Sequence, residues 1–173
     1  PLHRYSGFTA SFWQCHPESR GTVHIQSPEH TMQPRINPNY LSNKLDQNVM
    51  VSGIRLLRKI HEQPAFRPLW NEENVIGDER QTDLEILQAI REMGGTVFHP
   101  VGTCRMGSDS SSVLDPQLRV RGIKGLRVID ASVMPKITAA NTNAATLMVG
   151  EKGSSMILKE TNLRNSITSE EIL

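Results

Sequence analysis

Fourteen consecutive residues, GGTVFHPVGTCRMG (94–107), do most to limit what this chain can fold into. Four glycines and a proline here work against a helix or a long strand, because glycine pays the largest backbone entropy in regular structure and proline lacks an N–H. The stretch reads as a tight, irregular turn. Pro100 fixes the backbone that follows His99 and restricts His99 itself. Gly102 permits a close backbone approach to a ligand.

Two side chains in this turn could carry chemistry, His99 and Cys104. A histidine beside apolar residues more often packs than reacts. One held on a stiff turn is suited to act as a base, since it titrates near neutral pH and can take a hydroxyl proton. A Cys–His nucleophile pair or a metal centre is the rival reading. It is the weaker one: the spacing matches no strong zinc pattern, and Cys15-His16 has no companion motif. Cys104 is expected to be a packing residue.

The turn follows a helix that the sequence delimits at both ends. Thr82 and Glu85 form a capping box, Ile86, Leu87 and Ile90 fall on one face, and Gly94-Gly95 stops the helix after Met93. An earlier helix is expected from Asn43, its cap, with Asp46 in the first turn and Pro64 as its stop. Leu45, Val49, Leu56, Leu57 and Ile60 approximate its apolar face, and Arg55, Arg58 and Lys59 a solvated one. Ahead of it, 7–15 and 21–27 read as strands that could pair around HPESRG. PEHTMQPRINPNYL, with three prolines, reads as an extended loop.

After the turn come SDSSS, an exposed polar turn; short strand-like pieces in VLDPQLRVRGIKG; and an apolar strand, LRVID (126–130). ASVMPKITAANTNAAT is irregular and polar. A last helix begins near Thr142, and 159–173 reads as a polar, frayed tail. The strand that ends in Asp130, the polar loop and the asparagines at the helix start form a second constellation. Free N–H groups at a helix N-terminus suit an anion. Plain capping by Asn141 or Asn143 is the competing reading.

The composition narrows the class. Hydrophobic residues are 37% and charged residues 21%, a globular balance, and the net charge is +1 with no basic run. Nucleic acid is therefore not an expected partner. Apolar runs fall short of the roughly 20 residues that span a bilayer. Two cysteines are too few for a disulfide framework; a reducing compartment, the cytoplasm, is favoured, with membrane association through an electron acceptor as the alternative. The start, PLHRYSGF, without Met, is expected to be the middle of a longer protein.

FHPVGTCRMGSD and VLDPQLRVRGIKGLRVIDASVMPKITAANTNAATLMVGEK together resemble the C-terminal signature of the glucose–methanol–choline (GMC) flavin oxidoreductases, nearest the choline dehydrogenase-like alcohol dehydrogenases. HPESRGTVHIQS, PRINPNYLS, GIRLLRKIHEQPAF and EILQAIREMGGTVFHPVGTCRMG agree in order, so the resemblance covers roughly 7–158. It implies an α+β chain: an antiparallel substrate-binding sheet with helices over 1–124, then a returning strand and helix (125–158) that complete an FAD-binding α/β domain, then the tail (159–173).

The resemblance also implies roles. His99 matches the catalytic base, and Asn143 a second catalytic position that borders the cofactor. Asp130 and Ala131 match a pair beside the ribityl–pyrophosphate region of FAD. Ala144 and Ala145 match backbone near the flavin pyrimidine edge, and Val97 and Phe98 the substrate pocket. The implied reaction is hydride transfer from a primary alcohol, choline-like or other, to flavin N5, with oxygen, a quinone or a carrier as the final electron acceptor.

Departures from the pattern are small: Ala140 stands where the branch usually has Gly, Ala145 where it often has Pro, and GEKGSSMI replaces AEKAADMI. The dinucleotide-binding G-x-G-x-x-G is not among these residues, and Gly122-x-x-Gly125 reads as a turn. The chain by itself is therefore expected to be inactive and to bind FAD weakly or not at all. A hydroxynitrile lyase-type flavoprotein without net redox and a non-catalytic interaction module are the alternatives.

Overall fold

The computed structural model describes residues 6–170, with side chains to 161, as two compact units, one through Val97 and one from Phe98 on. Each holds its own apolar core, and together they carry three α-helices and one small antiparallel sheet.

The first unit is built on two helices, α1 (Lys44–His61) and α2 (Asp83–Met93). Both begin where the sequence places them. The Asn43 side chain accepts from the Leu45 N–H at 2.8 Å. Thr82 and Glu85 close a reciprocal capping box: Oγ1 accepts from the Glu85 N–H at 3.3 Å, and the Glu85 carboxylate accepts from the Thr82 N–H at 2.9 Å. Those hydrogen bonds hold the Glu85 carboxyl below its ordinary range. The α2 face is also as expected. Ile86, Leu87 and Ile90 are buried with Ala89, against Val51 and Ile76. Each such large side chain contributes about 1.5–3 kcal/mol by leaving water.

The inward face of α1 is not the expected one. Leu45, Val49, Leu56 and Ile60 are exposed and Leu57 is half-buried; Val51 is buried, with Met50 and Ile54 packed beside the same cluster. The unit turns a different stripe inward because of its polar anchors. Asp46, 2% exposed, accepts from the N–H groups of Glu18 and Ser19 at 2.9 and 2.7 Å, from the Ser19 hydroxyl and from Gln14 Nε2 at 2.9 Å. Arg58 is no solvated residue either. Its guanidinium donates to Glu73 at 2.8 Å and to the carbonyls of Arg80 and Gly77 at 2.8 and 3.2 Å. At Gly53 a Cβ would sit 2.0 Å from the Phe12 ring, so only glycine admits that ring against α1.

The strand expectations need correcting. Residues 7–15 form no strand. β1 (Thr22–His24) pairs instead with β2 (Arg35–Asn37), antiparallel with Val23 opposite Ile36, inside the stretch expected to be loop. Neither strand buries a face: Val23, Ile25 and Ile36 are all exposed.

The second unit is a mesh of turns under one helix. LRVID does not extend as a strand; only Arg127 is bridged, to Arg119, because a strand exists only where a neighbour takes up its hydrogen bonds. Leu114, Leu118, Val133, Met134 and Val149 form the core, with Cys104, Met106, Ile129 and Ala145 around it. α3 (Asn143–Glu170) lies over it, and Gly153 lets Ile129 approach so closely that a Cβ would stand 2.5 Å from it. The helix runs on through most of the expected tail; 171–173 lie outside the described residues. SDSSS is more ordered than an exposed turn. Ser112 is buried, and the Asp109 carboxylate accepts from Arg105 (2.8 and 2.9 Å), Ser111 and Ser112. Gly122 and Gly125 do form turns, both at positive φ.

Candidate functional site

The turn at 98–107 is tied to the loop at 130–134 by main-chain hydrogen bonds. The N–H groups of Gly102 and Cys104 both donate to the Ser132 carbonyl, at 3.0 and 3.1 Å, and that of Met106 donates to the Val133 carbonyl at 2.8 Å. Gly102 has a φ of 87°, a left-handed conformation that glycine adopts without strain. Phe98 also lies there, with a φ of 59°, although it is not glycine, and its side chain is 82% exposed. Strain of this kind gathers where a chain must aim a particular side chain. Here it stands directly before His99.

His99 is half-buried and both ring nitrogens are engaged. Nε2 lies 3.1 Å from Asn141 Nδ2, and Nδ1 lies 3.1 Å from Thr142 Oγ1. Asn143, the position implied by resemblance, is the first residue of α3; it is exposed and is not the residue that meets the imidazole. The reason lies in helix geometry. Asn141 and Thr142 lie just ahead of the first turn, across the helix end, whereas the first helical residue, Asn143, is exposed. Asn141 and Thr142 occupy those leading places, so they reach His99.

Asn141 serves two purposes at once. Its Oδ1 accepts from the Asn143 N–H at 2.9 Å, closing the start of α3, while its Nδ2 faces the histidine. The capping reading of that asparagine holds, and its Nδ2 also lies against the candidate base. Thr142 was missed at the sequence level; the signal available was its place as a hydroxyl residue immediately ahead of the helix.

The other positions are arranged as follows. Asp130 turns one oxygen, Oδ1, back to the Ser132 N–H (2.7 Å) and hydroxyl (2.5 Å), and so caps the 3-10 turn Ala131–Val133. Ala131 is half-buried beside the core. Ala144 and Ala145 stand in the first turn of α3, where backbone N–H groups have no partner within the helix. Val97 is exposed and belongs to the first unit. Cys104 packs against the core. Among the described residues no group of three His, Cys, Asp or Glu could hold a metal, and no helix is long and apolar enough to cross a membrane.

Comparisons with known proteins bear on the same residues. A family model described as GMC oxidoreductase matches residues 17–150. The chain is 41% identical over 157 residues to an alcohol dehydrogenase [acceptor] of Pseudomonas putida, covering 91% of this chain and 28% of that protein. It is 44% identical over 156 residues to a choline oxidase of Arthrobacter globiformis, covering 88% and 29%. It therefore spans less than a third of the length of these curated relatives. Among solved structures, an FAD-dependent oxidoreductase from Chaetomium thermophilum superposes with a TM-score of 0.81 at 30% identity, covering 86% of this chain and 26% of that one. A pyridoxine 4-oxidase from Mesorbium loti does so with a TM-score of 0.76 at 33% identity, covering 82% and 28%. With a family model matched across most of its residues, through the turn that carries His99 and into α3, the chain belongs to the GMC oxidoreductase family.

Proposed function

We propose that this chain is the C-terminal part of an FAD-dependent enzyme that oxidises a primary alcohol, choline-like or other, with His99 as the base. The observation that carries the reading is the imidazole held from both sides at the mouth of α3, by Asn141 and Thr142. The names of the relatives, an alcohol dehydrogenase and a choline oxidase, supply the substrate class.

The residues present suit a flavin. The first-turn N–H groups at Ala144 and Ala145 are donors for the carbonyl edge of a ring. Asp130 uses Oδ1 on Ser132 and has its second oxygen for a ribityl hydroxyl. When bound, FAD supplies the acceptor for the hydride that leaves the carbinol carbon.

His99 Nε2 takes the proton of the substrate hydroxyl. Asn143, at the start of α3, donates a hydrogen bond to the substrate oxygen and orients it, while Asn141 Nδ2 faces the imidazole. We keep residues 1–124 as mainly the substrate-binding part and 125–158 as the strand and helix that complete the FAD-binding domain; the core shared by Leu114, Leu118, Val133 and Val149 ties the end of the one to the start of the other.

The test is His99→Ala in the complete protein. Loss of general-base help is expected to slow flavin reduction by an alcohol at least about a hundredfold. Reduction at the wild-type rate sinks the assignment. Asn143→Ala is expected to slow the same step, because the substrate oxygen loses its hydrogen-bond donor.

A further inference from the structure

We infer that Thr142 is a positioning residue: its hydroxyl holds the proton of His99 on Nδ1 and so keeps the Nε2 lone pair directed at the site. The role for Nε2 rests on the reading of His99 as base.

The chain of contacts leaves one arrangement of protons. The Asn143 N–H can only donate, so the Asn141 atom 2.9 Å from it must be the amide oxygen. The orientation of the Asn141 amide is therefore set by α3 itself and not by the histidine. Its Nδ2, also a donor only, then lies 3.1 Å from His99 Nε2. Two donors cannot share one hydrogen bond, so Nε2 is the unprotonated nitrogen. The neutral imidazole carries its one proton on Nδ1, and that N–H donates to Thr142 Oγ1 at 3.1 Å.

Thr142 can hold this arrangement because it is itself held. It is 7% exposed, and its carbonyl accepts from the Thr146 N–H at 2.9 Å and from the Thr146 hydroxyl at 2.8 Å. Water cannot readily take its place at Nδ1. Replacing the hydroxyl by a methyl group leaves the Nδ1–H facing an apolar surface. The imidazole can recover a partner for that proton only by carrying it on Nε2 and swinging away from Asn141 Nδ2, and on Nε2 the proton makes the ring of no use as a base. An orienting partner of this kind acts through the histidine and never touches the substrate.

The experiment reads the tautomer directly. With the full chain labelled with nitrogen-15, two-bond proton–nitrogen correlations of the imidazoles distinguish a protonated nitrogen from a lone-pair one. For His99 the expected pattern is Nδ1–H with Nε2 unprotonated. Thr142→Ser is expected to keep it; Thr142→Val is expected to shift the population towards Nε2–H, with the other histidines unchanged as the check on folding. An Nε2–H pattern in the unaltered chain overturns the inference outright, even if Thr142→Val fails to fold. An unchanged His99 pattern in a folded Thr142→Val chain overturns it equally. None of these outcomes depends on flavin or activity, so they are separable from failure of the His99→Ala test. In the complete protein, Thr142→Val is expected to lower kcat about tenfold or more with KM little changed, and Thr142→Ser to restore it.

Discussion

Asp46 shows how one side chain can organise a segment far from it in sequence. Burial alone would raise its pKa, but hydrogen bonds from Glu18, Ser19 and Gln14 outweigh that and hold it below its ordinary value of 3.8. A group depressed in the folded state stabilises the fold above its unfolded pKa. That contribution is lost as pH falls through the lower folded value. Acid titration of folding is thus expected to weaken the first unit below about pH 4, and Asp46→Ala to remove that acid dependence. The same substitution is expected to cost about 1–3 kcal/mol at neutral pH by stranding its donors, read from urea denaturation. A pH profile of stability that does not respond to Asp46→Ala would show the knot to be passive.

Phe98 is the other residue whose backbone says more than its side chain. A non-glycine residue in the left-handed region costs about 1–2 kcal/mol, and an exposed ring has little burial to lose. Phe98→Gly is therefore expected to leave stability unchanged or to raise it by up to about 1 kcal/mol, net of glycine's own entropy cost. A clear loss in denaturation midpoint would mean that the ring, not the backbone, holds the turn.

At the scale of elements, α2 is the most locally specified piece. Its cap, the spacing of its apolar face and its glycine stop all lie within fourteen residues, Thr82–Gly95, and only the burial of that face needs distant partners, Val51 and Ile76. Thr82→Ala should cost about 1 kcal/mol, measured by denaturation, with Thr82→Ser restoring most of it. α1 is different. Its ends were readable from Asn43 and Pro64, yet its inward face was not. A hydrophobic stripe predicts burial only when apolar contacts decide the helix rotation, and here Asp46 and Arg58 share in deciding it. The strand readings failed for a related reason. An extended backbone is completed by whichever segment pairs with it, and β1 found Arg35–Asn37, not 7–15.

Across the molecule, each unit depends on a small core. Ile86 in the first and Leu114 in the second are wholly buried, and alanine at either is expected to cost about 2–5 kcal/mol in denaturant titrations. Around these cores many large apolar side chains stay in water, among them Ile25, Leu69, Phe98 and Leu147. That much exposed apolar surface on a chain under a third the length of its relatives agrees with the proposal that it works as part of a larger protein.

Helix caps, glycine and proline punctuation and the family signature could all be read from residues next to one another, because each depends on interactions within a few positions. The stiffness of the His99 turn belongs to the same class: Pro100 and Gly102 impose it locally. Which asparagine meets His99 does not. Asn141 and Asn143 are equivalent as letters, and only the exact start of α3 turns one towards the imidazole and the other to solvent. The partner of β1, the buried stripe of α1 and the proton on Nδ1 likewise follow from groups brought together across many residues. Such contacts depend on where the whole backbone runs, and no local pattern encodes them.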